Sequence, residues 1–331
     1  TMPTLLRPLT GRMAKIEPRS TSRVRLEVNS AHQFSLQPSR KPWCSLKTGG
    51  LALTLSPCLL LSGLINPAVA LQIKVSPAKP QLGDTLAVTV QYDNLEINAT
   101  PVVSLGKQQY PTFLVGANQF RALLPTTPLD RPATLQIRAS GGGEEKTVAV
   151  QLRARRFPTQ SIWLPPGKGN DGTDYEFDRV DAFKKLVTPE KFWKGAFLKP
   201  NQGPITTVYG VRRYYNGEFA KDYYHRGVDY AGAHGSPVVA PAAGRVALVG
   251  RVSQGFQLHG NTVGVDHGQG VLSIFLHLSR IDVKEGQFVQ AGQVIGAVGA
   301  TGASTGPHLH WGLYVHGLSV DPLPWRTRGF E

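Results

Sequence analysis

Apolar and polar residues alternate at every second position in five stretches of the chain between residues 71 and 155. Successive side chains of a β-strand point to opposite faces, so this alternation predicts strands with one buried face. Glycine, asparagine and aspartate residues between the stretches predict tight turns. With weaker stretches included, about seven short strands predict a small immunoglobulin-like β-sandwich. The five clear stretches are 71–75, 85–92, 120–124, 133–138 and 146–153.

Residues 201–331 return to a β pattern, with a glycine at nearly every turn. Two stretches, 238–250 and 289–299, are similar, since each runs from Val-x-Ala through a glycine turn into a valine-rich strand. Such a repeat predicts a two-sheet β domain built from two similar halves. Between the two β regions, residues 156–200 contain a linker rich in proline and glycine at 165–172 and then charged and aromatic residues at roughly helical spacing. This connector is predicted to hold short helices in an otherwise all-β chain.

The first 70 residues differ from the rest in composition. Residues 1–44 are polar and basic without periodicity, and we expect them to be disordered. Residues 45–70 combine a basic flank, a short apolar segment and an Ala-x-Ala end, which is typical of a secretory signal peptide cleaved after Ala70. An uncleaved N-terminal anchor is the open alternative. Both cysteines, Cys44 and Cys58, precede the expected cleavage, so we expect an exported, cysteine-free protein in the periplasm or extracellular cell envelope.

The charge distribution narrows the classes of partner. The 331 residues carry a formal net charge of +14. Half of this charge lies in residues 1–70, which contain nine lysines and arginines but only two acidic residues. The remaining basic residues are scattered along the chain rather than clustered. This pattern argues against nucleic-acid binding and favours contact with anionic polymers of a cell envelope. We expect a monomer.

Histidines concentrate towards the C-terminal end, where eight of the nine lie between residues 225 and 316. His225 and Asp229, four residues apart in a predicted strand, share one face, and so do His308 and His310. Each pair can therefore aim at one point. Two imidazoles and a carboxylate form a ligand set that Zn²⁺ accepts at catalytic sites, where a fourth position stays open. Four further histidines are predicted in turns or at the rim of a groove, namely His234, His259, His267 and His316.

Four spaced motifs follow residue 223: Tyr224-His-Arg-Gly-Val-Asp229, Gly260-Asn-Thr-Val-Gly-Val-Asp-His-Gly268, His277-Leu-Ser279 and Gly302-Ala-Ser-Thr-Gly-Pro-His-Leu-His310. Together they resemble the lysostaphin/LytM type of zinc metallopeptidase, whose members cut peptide bonds in bacterial peptidoglycan. The resemblance covers about 130 residues. It implies peptidoglycan as the partner and zinc as the cofactor. It also implies His225, Asp229 and His310 as zinc ligands and His277 and His308 as the catalytic pair.

The residue types suit peptide hydrolysis on chemical grounds as well. A zinc site still needs a group that takes a proton from water and gives one to the leaving amine. Glutamate often has this role, but only three glutamates follow residue 200 and none lies beside a ligand motif. We therefore expect His308 to act as the base and His277 to hold or protonate the oxyanion. Tyr224 and Asn261 are predicted to line the substrate groove.

Two other functions are compatible with parts of the sequence. Gly302-Ala-Ser-Thr-Gly306 matches the nucleophile elbow of serine hydrolases, but that elbow needs a helix after the serine, and Pro307 begins a strand instead. The second rival is a non-enzymatic cell-wall-binding regulator, which would keep the fold without needing the metal. A measurement of bound metal separates this rival from the enzyme.

Overall fold

A computed structural model describes residues 71–93, 99–163 and 172–330. This part of the chain contains 22 β-strands, one α-helix and two short 3-10 helices, so the all-β prediction is confirmed. The predictions for residues 1–44, for the signal peptide at 45–70 with its cysteines, and for all but the last residue of the linker at 165–172 lie outside the described residues. None of the described helices has both the length and the apolar character that a membrane span requires.

The front region is a sandwich of two four-stranded antiparallel sheets, with strand orders β1-β2-β6-β5 and β4-β3-β7-β8. The buried side chains of Val88, Val103 and Ile137 belong to the core between them. All five strongly alternating stretches form strands. Three short strands, β3 to β5, escaped prediction because three or four residues are too few to show a period. The strands are β1 (Leu71–Ser76), β2 (Thr85–Tyr92), β3 (Val102–Leu105), β4 (Gln108–Tyr110), β5 (Phe113–Gly116), β6 (Gln119–Pro125), β7 (Ala133–Gly141) and β8 (Glu144–Leu152).

The region after the connector, together with one strand of the connector (β9), contains an eight-stranded sheet and two three-stranded sheets. The large sheet has the order β10-β13-β21-β17-β16-β15-β19, with β22 paired to β21, and the small sheets are β12-β11-β9 and β14-β20-β18. The strands are β9 (Thr159–Ile162), β10 (Ile205–Thr207), β11 (Arg212–Tyr215), β12 (Glu218–Phe219), β13 (Gly227–Tyr230), β14 (Pro237–Val239), β15 (Gly244–Gly250), β16 (Asn261–Gly268), β17 (Val271–Leu278), β18 (Arg280–Ile281), β19 (Phe288–Val289), β20 (Val294–Ala297), β21 (Leu309–Val315) and β22 (Leu318–Val320). The 3-10 helices are Val252–Gln254 and Pro324–Arg326.

The two similar stretches of sequence pair crosswise in this region. The first supplies β14 and β15 and the second supplies β19 and β20. Strand β14 pairs with β20, and β15 pairs with β19. Each of these two pairings therefore joins one strand from the first stretch to one strand from the second. The repeat therefore indicates how the strands pair, as expected for a domain of two similar halves.

The connector forms one α-helix, α1 (Asp174–Lys184). Thr173 caps its first turn, accepting a hydrogen bond from the Glu176 amide while the Glu176 carboxylate accepts one from the Thr173 amide. This reciprocal capping box stabilises the helix start. Val180 and Phe183 are buried with Leu248 of β15 in one apolar cluster, which fixes α1 against the large sheet.

The front sandwich is joined to the C-terminal region through buried contacts. Arg121 of β6 is 1% exposed, and its guanidinium donates hydrogen bonds to the Phe330 carbonyl and, at 2.6 Å, to Gln269 Oε1. The Trp325 indole donates to Thr85 Oγ1 at 3.1 Å. Buried side chains of the sandwich also belong to the main core cluster of the C-terminal region. The contact is therefore a packed interface rather than a flexible tether.

Candidate active site

The strand register of the large sheet brings Asp229 and His310 together, because they are direct partners on β13 and β21. His225, just before β13, reaches the same point. His310 Nδ1 lies 2.8 Å and His225 Nε2 3.0 Å from Asp229 Oδ1, and the two ring nitrogens are 3.1 Å apart. Within the described part of the chain, this is the one group of three such side chains close enough to hold a metal ion.

Gly227 makes this convergence sterically feasible. A Cβ built on Gly227 would lie 2.4 Å from the Trp311 carbonyl oxygen and 2.7 Å from His310 Nε2. Real Cβ atoms do not approach other atoms so closely, so any side chain at this position would displace β21 or the His310 ring. The glycine between His225 and Asp229 is thus explained by packing under the candidate ligand His310.

Burial and hydrogen bonding set the protonation states of the cluster. Burial opposes ionisation of Asp229, but the His225 and His310 ring nitrogens beside its Oδ1 atom hold its pKa well below the usual range. Burial lowers the pKa of His310 to about 4, so its ring is neutral near pH 7. His225 Nδ1 donates to the Val208 carbonyl at 2.9 Å, so Nε2 is the ring nitrogen that faces Asp229 and His310. An ionised carboxylate and neutral imidazoles are the forms that bind metals.

His277 and His308 form a second pair beside this cluster. Their ring centroids are 4.9 Å apart, and the His277 ring is 6.4 Å from that of His310. His277 Nδ1 lies 2.8 Å from the Thr301 carbonyl, and His308 Nδ1 lies 2.8 Å from the Gly306 carbonyl. Both Nδ1 atoms therefore carry hydrogens, and both Nε2 atoms are left as acceptors.

The tautomer of His277 differs from what an oxyanion donor needs. A neutral ring with hydrogen on Nδ1 has no hydrogen at Nε2 and accepts there. Burial, followed by the charges of His310 and His308, lowers the pKa of His277 to about 3. The His277 backbone has φ = 64°, an uncommon value for a residue with a side chain, which costs about 1–3 kcal/mol. Its amide donates to the His259 carbonyl at 3.1 Å, and this contact helps to hold the strained conformation.

A groove of about 1020 Å³ opens over both histidine pairs. It is lined by the candidate metal-binding cluster, by His277, and by Ala303 and residues 305–308. One wall comes from α1, through Phe177, Val180, Asp181 and Lys184. The β9–β11 sheet contributes Gln160, Ile162, Arg213 and Tyr215. The groove therefore has room for an extended peptide beside the candidate ligands.

Helix α1 is connected to the site by a buried carboxylate. Glu176 is 0% exposed and accepts hydrogen bonds from the Leu258 and His259 amides and, at 2.8 Å, from His259 Nδ1. The His259 carbonyl in turn accepts from the His277 amide. Glu176 thus fixes the loop that supports the strained His277. The sequence signal for this residue was the capping box Thr-x-x-Glu, but a capping box indicates a helix start and not a contact with a distant loop.

Two residues predicted to line the groove lie elsewhere. Tyr224 is 4% exposed, and its hydroxyl donates to the Ser319 carbonyl at 3.2 Å in the core. Asn261 donates to the Leu278 carbonyl and accepts from the Val252 amide. The structure does not bring either side chain into the described groove, which its neighbour Tyr223 does line.

Of the four histidines predicted in turns or at the groove rim, His259 lies where it was predicted and His267 does not. His259 lines the groove, as predicted for a rim residue. His267 instead lies inside β16, is 0% exposed, and contacts the Ala243 carbonyl and Ser273 Oγ. The glycine that follows His267 suggested a turn, but the strand continues through both residues.

A β-rich domain with two histidines and an aspartate converging beneath a groove has the side chains of a metallopeptidase. Residues 223–322 match peptidase family M23, and this part of the chain belongs to that family.

The curated relatives match over the same region. A DD-carboxypeptidase/endopeptidase Mpg from Neisseria meningitidis is 43% identical over 99 residues, which are 30% of this chain and 22% of the relative. The peptidoglycan DD-endopeptidase ShyA from Vibrio cholerae is 41% identical over 99 residues, again 30% of this chain and 22% of the relative. The chain thus spans about a fifth of the length of these relatives.

A solved structure extends the similarity in fold beyond the peptidase domain. A Pseudomonas aeruginosa crystal structure assigned to peptidase family M23 is 28% identical, with a TM-score of 0.57. The match covers 76% of this chain and 96% of that chain. The shared fold therefore includes more than residues 223–322.

Proposed function

We propose that this protein is an exported zinc metalloendopeptidase that hydrolyses peptide bonds in the stem peptides or cross-links of peptidoglycan. The observation that carries the proposal is the convergence of His225, Asp229 and His310 beside His277 and His308 in one groove. Family membership and relatives named as peptidoglycan DD-endopeptidases support the choice of substrate.

The donor set fits zinc. The three candidate ligand atoms are 2.8–3.1 Å apart, and the carboxylate and the His310 ring are in the protonation states that metals require. We assign His225 Nε2, Asp229 Oδ1 and His310 Nδ1 as the atoms that hold the ion. An ion held by these atoms would supply Lewis-acid chemistry, polarising a carbonyl and lowering the pKa of water.

The protein's own groups move the protons. His308 presents Nε2 as an acceptor, since the Gly306 carbonyl holds its Nδ1 hydrogen. We assign His308 as the base that takes a proton from the attacking water and returns it to the leaving amine. His277 also accepts at Nε2, and its low pKa keeps it neutral, so it orients the attacking water by accepting a hydrogen bond.

The remaining predictions about cell biology and domain organisation form part of the same proposal. We infer cleavage after Ala70, action in the periplasm or extracellular envelope, contact with anionic envelope polymers and a monomeric state. We also infer an immunoglobulin-like module at 71–155, a connector at 156–200 and a peptidase domain at 201–331. Relatives named as peptidoglycan DD-endopeptidases and a signal-like segment at 45–70 support this arrangement.

The test is digestion of purified peptidoglycan with the full chain, with released fragments identified by mass and bound metal measured by elemental analysis. We expect one zinc per chain and fragments separated at a peptide bond. A folded protein that binds peptidoglycan, releases nothing and contains no metal would instead be a non-enzymatic regulator. The exposed-turn variant His234→Ala is the matched control and should keep both zinc and activity.

A further inference from the structure

Two arginines line the groove without an acidic partner. Among the described residues, no carboxylate lies within ion-pair distance of Arg213 or Arg226, although both line the groove. The other charges of the groove are compensated. Asp181 pairs with Lys184 at 2.5 Å on α1, and Asp229 is held by the two candidate ligand histidines. This end of the groove therefore has an excess of positive charge.

The Arg213 guanidinium is fixed by neutral groups. Its Nε donates to Gln160 Oε1 at 3.2 Å, and its Nη1 donates to the hydroxyls of Tyr223 and Tyr215 at 2.9 and 3.4 Å. The guanidinium carbon of Arg226 lies over the same Tyr223 ring, 5.6 Å from its centroid. Nη2 of Arg213 has no hydrogen-bond partner among the described residues and is not one of the buried unpaired atoms, so it is accessible to solvent in a side chain that lines the groove.

Arg213 also lies next to the candidate metal-binding cluster. The His225 amide donates to the Val211 carbonyl at 2.9 Å, and the Gly210 amide donates to the His225 carbonyl at 2.9 Å. The segment that leads into β11 therefore runs beside His225. Because side chains alternate along a strand, Arg213 and Tyr215 face the groove, while Arg212 faces away and lies over Phe219.

We propose that Arg213 binds a free carboxylate of the peptide substrate and makes the groove selective for acidic peptides. This proposal rests on the proposed peptidase function and names the substrate chemistry of the same groove. A guanidinium presents paired N–H donors that match a carboxylate, and a held guanidinium loses little side-chain freedom on binding. Arg226 adds positive charge beside it.

The test uses the full chain and pairs of synthetic peptides that differ only in glutamate against glutamine at one position. We expect kcat/KM for the glutamate peptide to exceed that for the glutamine peptide by about 10- to 100-fold, as for a hydrogen bond to a charged group. Arg213→Gln should remove this preference by raising KM for the glutamate peptide far more than KM for the glutamine peptide. Arg213→Lys keeps the positive charge but lacks the paired N–H donors of a guanidinium, so it should retain part of the preference for glutamate.

Arg212→Gln is the matched control, because this neighbouring arginine lies outside the groove. Its guanidinium donates to the Lys221 carbonyl. The control should keep the full preference for glutamate. The proposal would be overturned if kcat/KM were equal for the glutamate and glutamine peptides wherever in the peptide the pair differs. It would also be overturned if Arg213→Gln had normal zinc content and kept the preference for glutamate.

Direct binding separates this proposal from the proposed function. Calorimetry with His308→Ala should show the same preference for the glutamate peptide without turnover. If the wild-type protein cleaves neither peptide yet binds the glutamate form more tightly, the peptidase function fails and the carboxylate site stands. If the protein cleaves both equally and binds both equally, the peptidase function stands and the carboxylate site fails.

Discussion

The front sandwich and the C-terminal region are both built from antiparallel sheets, but they differ in how their strands are buried. Strands β1 and β8 of the sandwich alternate between more and less buried positions, as a sheet with one solvated face should. Every residue of β21, at the centre of the large sheet, is buried. Since His310 lies on β21, the candidate chemistry occupies a strand without alternation. Burial on both faces removes the strand signal but supplies the low-dielectric surroundings that shift pKa values.

The largest expected difference between the two regions is the effect of a substitution on metal binding. His310→Ala leaves two of the three proposed ligands, too few for a stable site. We expect both zinc and peptide hydrolysis to fall to background, whereas substitutions at exposed positions of the sandwich should change neither. Elemental analysis and hydrolysis assays measure this. His225→Ala and Asp229→Ala should behave in the same way.

A large but smaller effect is expected from His308, the residue immediately before β21. His308→Ala should keep zinc and lose about 10²- to 10⁴-fold in kcat, the usual contribution of a general base. His277→Ala should resemble it. Retention of zinc by His310→Ala together with its loss from His308→Ala would invert the proposed roles of the two residues.

Substitution of Arg121 tests whether the interface between the two regions contributes to stability. Arg121→Met removes the buried donor to Phe330 and Gln269, and it should lower the free energy of unfolding by about 1–3 kcal/mol. Arg138→Met is the control, since Arg138 is exposed and its pair with Glu145 spans 3.6 Å, so it should change stability by at most about 0.5 kcal/mol. Chemical denaturation measures both. Equal effects would mean that the interface contributes no more than a surface contact.

The smallest predicted effect concerns Glu176 and pH. Burial alone would raise the pKa of Glu176, but hydrogen bonds from His259 and from the Leu258, His259 and Thr173 amides hold it below its usual value. A lowered pKa contributes stability above the unfolded value of about 4.3, and this contribution is lost as pH falls through the folded pKa. Glu176→Gln should therefore be about 1 kcal/mol less stable than wild type at pH 7, and the difference should shrink below pH 4.3. Parallel denaturation curves from pH 7 to pH 3 test this, and a constant difference would contradict it.

The limits of prediction follow the same contrast between the two regions. The strands of the sandwich were predictable because apolar and polar residues alternate along them, and the histidine motifs predicted which side chains would converge. Tyr224 was predicted in the groove, yet its ring lies in the core, because spacing along a chain does not show which face the fold covers. Glu176 and Arg213 reach the site from distant segments without a local motif. Their contacts depend on how α1 and β11 pack.

The position of β21 in the large sheet determines when the candidate metal-binding cluster can assemble during synthesis of the chain. This strand lies between β13 and β17, and 81 residues separate Asp229 from His310. Contacts so distant in sequence form late, after the costly closure of a long loop. A chain that emerges from its N-terminal end therefore has no assembled metal-binding cluster until residues 309–315 insert into the middle of the sheet. Until that strand is in place, the fold cannot present the three candidate ligands together.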